Sequence, residues 1–220
     1  MKKSLPILYS FRRCPYAIRS RMTLHYSNIQ VEHREVILKN KPSSMLSYSP
    51  KGTVPVLVLP DGNVIDESRE IIDWALKEND PDDWNMSQGP SICEISVSDD
   101  AARHKEIEIL IEKNDSYFKQ YLDKYKYSDR YPERPQEFYR HKAEEFLSEL
   151  EYRLSRTDYL LSSKISKADI SIFPFVRQFA FVDKIWFDLS EYSFLKRWLE
   201  SFLQSDLFNA VMVKHKPFEA

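Results

Sequence analysis

Strand-forming stretches are confined to the first third of this chain, and that asymmetry limits the fold more than any other feature. Residues 5–10, LPILYS, read as a strand. Pro15 suits the first turn of a helix, which AIRSRMTLHY continues to Tyr26. VEHREVI reads as a second, partly alternating strand, and KPSSMLSYSP is turn-rich with room for a short helix. After Gly52 comes VPVLVL, a third strand closed by Pro60-Asp61-Gly62, a hairpin signal; NVID is its short partner. From Ser68, SREIIDWALKE sets apolar residues at 71, 72, 75 and 76, the pattern of a helix with one buried stripe. The expected order over residues 1–78 is β-α-β-α-β-β-α.

Residues 79–91, NDPDDWNMSQGPS, are rich in Pro, Gly, Asp and Asn and read as a linker. Beyond them, helical spacing takes over. Ile107, Leu110, Ile111, Phe118, Tyr121, Leu122 and Tyr125 form one series; Phe146, Leu147, Leu150 and Leu154 form another. Residues 92–220 are therefore expected to be an all-helical second domain, giving an α+β two-domain chain. Its sharpest signal is KISKADISIFPFVRQFAFV. Ser166 is expected to cap a helix with Asp169 at the third position, flanked by Ile165 and Ile170 as a hydrophobic staple. The residues that follow are apolar almost all round, so this helix belongs at the centre of the bundle.

Composition narrows the function classes. The 32 basic and 34 acidic side chains leave a net charge of -2, which gives no electrostatic case for nucleic acid. No apolar run approaches a membrane span, and Pro6 and Ser10 interrupt the short N-terminal one, so cytoplasm is the expected location. Two cysteines make no disulfide framework, and neither they nor the five histidines have metal-site spacing. With three glycines and no GxGxxG or GxxxxGK, nucleotide binding has no support.

Chemistry concentrates near YSFRRCPYAIRSRM. If a helix begins at Pro15, Cys14 sits at its N-terminal end, where unpaired N–H groups and the helix dipole favour negative charge. Arg12, Arg13 and Arg19 add positive charge, and such surroundings lower a thiol from its usual pKa of about 8.5. A buried structural cysteine at a strand–helix junction is the competing reading, and the residues alone leave both open. Ala17 stands where a CxxC disulfide needs its second cysteine, so chemistry here runs through a mixed disulfide with an external thiol. Cys93, past the linker, is not the expected resolving partner.

Three further groups extend the pattern. Pro55 enters a strand directly after Val54; a bend there, often with a cis bond, leaves the Val54 backbone groups outside the ladder and open to a peptide-like ligand. An ordinary edge-strand proline has the same sequence. Ser68 is expected to cap the third helix, and its hydroxyl and N–H could bind a carboxylate while Glu67 accepts from an ammonium group. The ligand so described carries a carboxylate, an amine and a thiol.

Residues 5–78 resemble the thioredoxin-like N-terminal domain of the cytosolic glutathione S-transferases, and the remainder resembles their helical domain, Ser166–Asp169 box included. The motifs YSFRRCPYAIRSRM, LKNKP, GTVPVLVLPDG and DES are together similar to the omega class and its bacterial relatives, which use a catalytic cysteine. The resemblance implies glutathione as co-substrate, joined to Cys14 as a mixed disulfide. Lys41 would meet its glycine carboxylate, Val54 before Pro55 its cysteinyl backbone, and Glu67 and Ser68 its γ-glutamyl end. Tyr16 lines the thiol pocket or simply packs. Tyr9 and Ser10, at the end of the first strand, are the hydroxyls that a tyrosine- or serine-type relative would use.

The implied activity is thiol transfer to small disulfides, dehydroascorbate or glutathionyl conjugates, by a homodimer without metal or nucleotide. Conjugation of glutathione to electrophiles and a non-enzymatic binding role on the same fold are the alternatives. The helical region departs from the omega pattern. Residues 96–136 are rich in tyrosine and charge, and the loop before Ser166 lacks the usual glycine. The family's acceptor pocket lies largely in that domain, so the acceptor stays open.

Overall fold

The computed structural model describes residues 4–86 and 100–219. Cys93 and residues 87–91 of the expected linker lie outside the described residues. The chain divides into two compact units, Met1–Asp82 with Ser205–Ala220, and Asp83–Gln204.

The first unit follows the expected order: β1 (Ile7–Ser10), α1 (Pro15–Tyr26), β2 (Glu32–Glu35), α2 (Ser43–Tyr48), β3 (Val56–Val58), β4 (Val64–Ile65) and α3 (Ser68–Glu78). The sheet runs β2-β1-β3-β4, with β1 parallel to β2 and antiparallel to β3. β3 and β4 close as a hairpin, and Gly62 takes the left-handed φ of 90° that the turn requires. Alternate residues of β1 enter opposite cores, as a two-residue side-chain period demands. Leu8 packs with Leu24, Leu57, Ile71 and Ala75; Tyr9 packs with Val36, Met45, Val54, Val56 and Val58. α1 packs on α3.

A final helix, α10 (Asp206–Val211), and the segment after it belong to this unit, packing on α1 and on the outer edge of β2. Pro217 forms a parallel bridge with Glu35, and Phe218 N–H donates to the Glu35 carbonyl at 2.8 Å. The sequence expectation carried the helical domain through residue 220. Residues 205–220 depart from it because Arg21 and Glu35, far away in sequence, supply their hydrogen-bond partners.

The second unit is all helical. α4 (Asp100–Lys113) continues through a π-helical turn, Asn114–Phe118, into α5 (Lys119–Lys126). α6 (Gln136–Leu154), α7 (Lys167–Ala180), α8 (Lys184–Leu189) and α9 (Ser193–Leu203) follow. The series at 107–125 and 146–154 is buried, as its spacing predicts, except for the half-buried Tyr121. α7 is buried along nearly its whole length, and Ser166 and Asp169 form the expected capping box at its start. Asp169 does more than cap. It accepts from Ser166 N–H at 2.9 Å, Ser166 Oγ at 2.6 Å, Leu160 N–H at 2.9 Å and Trp198 Nε1 at 2.9 Å, so one carboxylate joins α7, α9 and the preceding loop. No helix among the described residues is long and apolar enough to cross a membrane.

Candidate active site

Cys14 is the N-cap of α1, with Pro15 as the first helical residue. Its extended backbone (φ -73°, ψ 123°) lets its carbonyl accept from Ile18 N–H at 2.9 Å, opening the helix, while its own N–H closes a turn on Phe11 at 3.1 Å. The side chain makes no capping bond. The thiol is half-buried, and Sγ lies 3.7 Å from the Val54 carbonyl oxygen. The helix N-terminus beside it is the partial positive end of the α1 dipole.

Val54 joins Pro55 by a cis peptide bond, as the bend predicts. The ladder between β1 and β3 starts at Val56, so the Val54 backbone stands just outside it, toward Cys14. Gly52, two residues earlier, is buried and has a left-handed φ of 64°. A Cβ there would meet Leu46 Cδ2 at 3.2 Å and Lys41 Nζ at 3.4 Å. The exposed Lys41 thus folds its ammonium over the loop that leads to Val54.

The next pair sits at the start of α3. Glu67 is the N-cap and Ser68 the first helical residue, one position on from the cap expected of Ser68. The hydroxyl points to α1 instead. Ser68 Oγ accepts from Arg19 Nε at 3.0 Å and Nη2 at 2.8 Å, with Arg19 only 1% exposed. Arg19 also covers the half-buried Tyr16 ring, 5.1 Å from its centroid. Ser68 Oγ is thus engaged as an acceptor by Arg19, while its backbone N–H lies in the first turn of α3. Glu67 is exposed and pairs with Lys51 at 2.5 Å; Lys51 also meets Asp66 at 3.0 Å. Burial pushes Asp66 upward, but hydrogen bonds from Ser49 and Lys51 outweigh it and hold the carboxyl below its ordinary value.

Both β1 hydroxyls are engaged inside the unit. Tyr9 is fully buried; its OH donates to Ser44 Oγ at 3.0 Å and accepts from Arg34 at 2.7 Å. Ser10 is fully buried too, and its Oγ accepts from Arg21 at 2.6 Å. Sequence reading did not single out Arg21, Glu35 or Lys51. Arg21 lies inside because α1 is buried at every residue from Ala17 to Leu24. Among the described residues no cluster of three or more His, Cys, Asp or Glu side chains suits a metal ion.

Two domain models match the chain: "Glutathione S-transferase, N-terminal domain" over residues 8–84, and "Glutathione S-transferase, C-terminal domain" over residues 135–201. Glutathione S-transferase omega-1 of Mus musculus is 40% identical over 81 residues, 34% of either chain. A probable maleylacetoacetate isomerase of Caenorhabditis elegans is 36% identical over 84 residues, 37% of this chain and 38% of that one. The chain thus aligns with little more than a third of the length of these curated relatives. A glutathione transferase of Burkholderia graminis, solved with two glutathione molecules bound per subunit, superposes with a TM-score of 0.76 at 19% identity over 95% of this chain and 88% of its own. That likeness bears on the fold.

Proposed function

We propose that this chain, which has the two-domain structure of the cytosolic glutathione S-transferase superfamily, is a glutathione-dependent thiol transferase of omega type with Cys14 as its nucleophile. The observation that carries the reading is the thiol's position: Cys14 stands at the N-cap of α1 and its Sγ lies 3.7 Å from the Val54 carbonyl oxygen. Conjugation assisted by a hydroxyl would need Tyr9 or Ser10 at the thiol, and both are bonded within the core.

In this reading glutathione lies across the first unit. Its cysteinyl backbone pairs with Val54, its glycine carboxylate meets Lys41, and its γ-glutamyl carboxylate meets the Ser68 N–H at the start of α3. Glu67 takes the γ-glutamyl ammonium, exchanging Lys51 for it. The Cys14 thiolate attacks the glutathionyl sulfur of a mixed disulfide; the S–S bond breaks, and the acceptor leaves as its thiolate. A second glutathione thiolate then attacks the Cys14–glutathione disulfide, releasing glutathione disulfide and restoring the Cys14 thiolate. The mixed disulfide brings one glutathionyl group already oxidised, so each turnover consumes one reduced glutathione and yields the acceptor thiol and glutathione disulfide. Acceptors are small disulfides, dehydroascorbate or glutathionyl conjugates, in a reducing compartment such as the cytoplasm. A homodimer belongs to the same reading and is checked by sedimentation.

The test is glutathione-dependent reduction of a small mixed disulfide by the parent and by Cys14→Ser. Activity in the parent and none in the variant is expected. An active Cys14→Ser variant would remove Cys14 as the nucleophile; with an inactive parent, glutathione binding would favour conjugation and failure to bind it a non-enzymatic protein.

A further inference from the structure

Three consecutive residues ahead of Cys14 are held by one guanidinium. Arg21 Nη1 donates to Ser10 Oγ at 2.6 Å and to the Phe11 carbonyl at 3.3 Å, and Nη2 donates to the Arg12 carbonyl at 2.8 Å. Its Nε reaches the other way, to the carbonyl of Val211 at the end of α10, at 3.0 Å. From the opposite side, Glu35 Oε1 accepts the Arg12 N–H at 2.8 Å. Glu35 Oε2 lies 3.0 Å from His33 Nε2. The turn that delivers Cys14 to its helix is thus gripped at Arg12 by a buried cation on the carbonyl and a buried anion on the N–H.

The two charges act on the thiol in opposite senses. Burial pushes Arg21 down to about 10, while the charges of Glu35 and of a Cys14 thiolate pull it back. Electrostatic coupling is reciprocal, so a cation favoured by the thiolate favours that thiolate in turn. The carboxylate of Glu35 works against it. Other charged or titratable groups nearby are Arg12 and Arg13 in the turn, Arg19 on α1, and His33 and His215, stacked at 4.0 Å across β2 and the C-terminal segment. Arg21 and Glu35 are the side chains that hydrogen-bond the Arg12 carbonyl and the Arg12 N–H.

We propose that Arg21 and Glu35 are paired positioning residues for Cys14: both fix the turn, Arg21 stabilises the thiolate and Glu35 opposes it, and their difference sets the reactivity of the nucleophile. The proposal rests on Cys14 being the reacting thiol of the function proposed above. Both residues also carry the C-terminal segment, which makes that segment a support of the site.

Thiolate titration by ultraviolet absorbance and the pH profile of iodoacetamide alkylation, in a Cys93→Ser background, read Cys14 without glutathione. Arg21→Met is expected to raise the apparent pKa of Cys14 by about one unit and slow alkylation near about pH 6 by about tenfold. Glu35→Gln keeps an acceptor for the Arg12 N–H and is expected to shift the profile the opposite way. Arg21→Lys restores the charge but not the fork of donors, so it should recover the pKa and not the full rate of disulfide reduction. Shifts of opposite sign support the proposal; shifts of the same sign, or none, in folded variants overturn it. If Arg21→Met does not fold, Glu35→Gln decides alone, and a pKa that stays or rises overturns the proposal. A parent that reduces no mixed disulfide overturns the thiol-transfer reading, and this proposal with it, before any variant is made.

Discussion

Arg19 and Ser68 are joined by two hydrogen bonds, the guanidinium Nε and Nη2 both donating to one hydroxyl oxygen at 3.0 and 2.8 Å. Both residues are buried, so the pair fastens the start of α3 to α1. Ser68→Ala removes the acceptor for two donors of a buried cation and is expected to cost about 1–3 kcal/mol in denaturant unfolding. Glutathione affinity should fall less than stability, because the proposed ligand contact is the Ser68 N–H. An unchanged unfolding midpoint with a large loss of affinity would instead assign the hydroxyl to the ligand.

Gly52→Ala should be harmful for two separate reasons. Its φ of 64° disfavours any side chain by about 1–2 kcal/mol, and the new Cβ would press on Leu46 at 3.2 Å and on Lys41 Nζ at 3.4 Å. The expected outcome is lower stability together with a raised KM for glutathione. A variant that keeps the parent KM would remove Lys41 from the proposed carboxylate contact.

Asp169→Ala is expected to destabilise the helical unit far more than Ser166→Ala. The serine change loses a helix cap, typically about 1 kcal/mol. The aspartate change leaves the buried donors of Leu160, Ser166 and Trp198 without their acceptor, a cost of at least about 3 kcal/mol. Equal midpoints for the two variants in urea would mean that the carboxylate serves only as a cap.

His33 gives stability a dependence on acidity. Burial holds its pKa below the ordinary 6.5; the His215 and Arg21 charges add to that, and the Glu35 hydrogen bond opposes it. The unfolded chain therefore takes up the proton first, so stability is full above 6.5 and declines as pH falls from there through the folded value. Thermal unfolding of the parent should shift downward between about pH 7 and pH 5, and His33→Gln should flatten that slope. Parallel slopes for the two proteins would count against His33 as the source.

Local pattern was enough to read the elements, and long-range charge was not. The helix from Pro15 to Tyr26 and the Ser166–Asp169 box could be read because their signals lie within one or two turns of chain. Ser68 was read as a cap because a serine before an apolar helix fits that role; the residue that takes the cap, Glu67, depends on backbone angles that composition does not encode. The bend at Pro55 was legible, but the meeting of Lys41 with Gly52 follows from how the loop folds back. Arg21 and Glu35 were missed for a related reason. Their partners on the C-terminal segment, Val211 and Phe218, lie far off in sequence, and helical or strand periodicity carries no information about such pairs.

The grip of Arg21 on Val211, and of Glu35 on Phe218, also orders events during synthesis. A ribosome completes the sheet and α1 early, then the helical unit, and only afterwards releases residues 205–219. Until then the turn before Cys14 lacks two of its outer supports. The thiol is thus made well before the segment that helps to seat it, and a fragment cut in the linker would carry the cysteine without the frame that holds it.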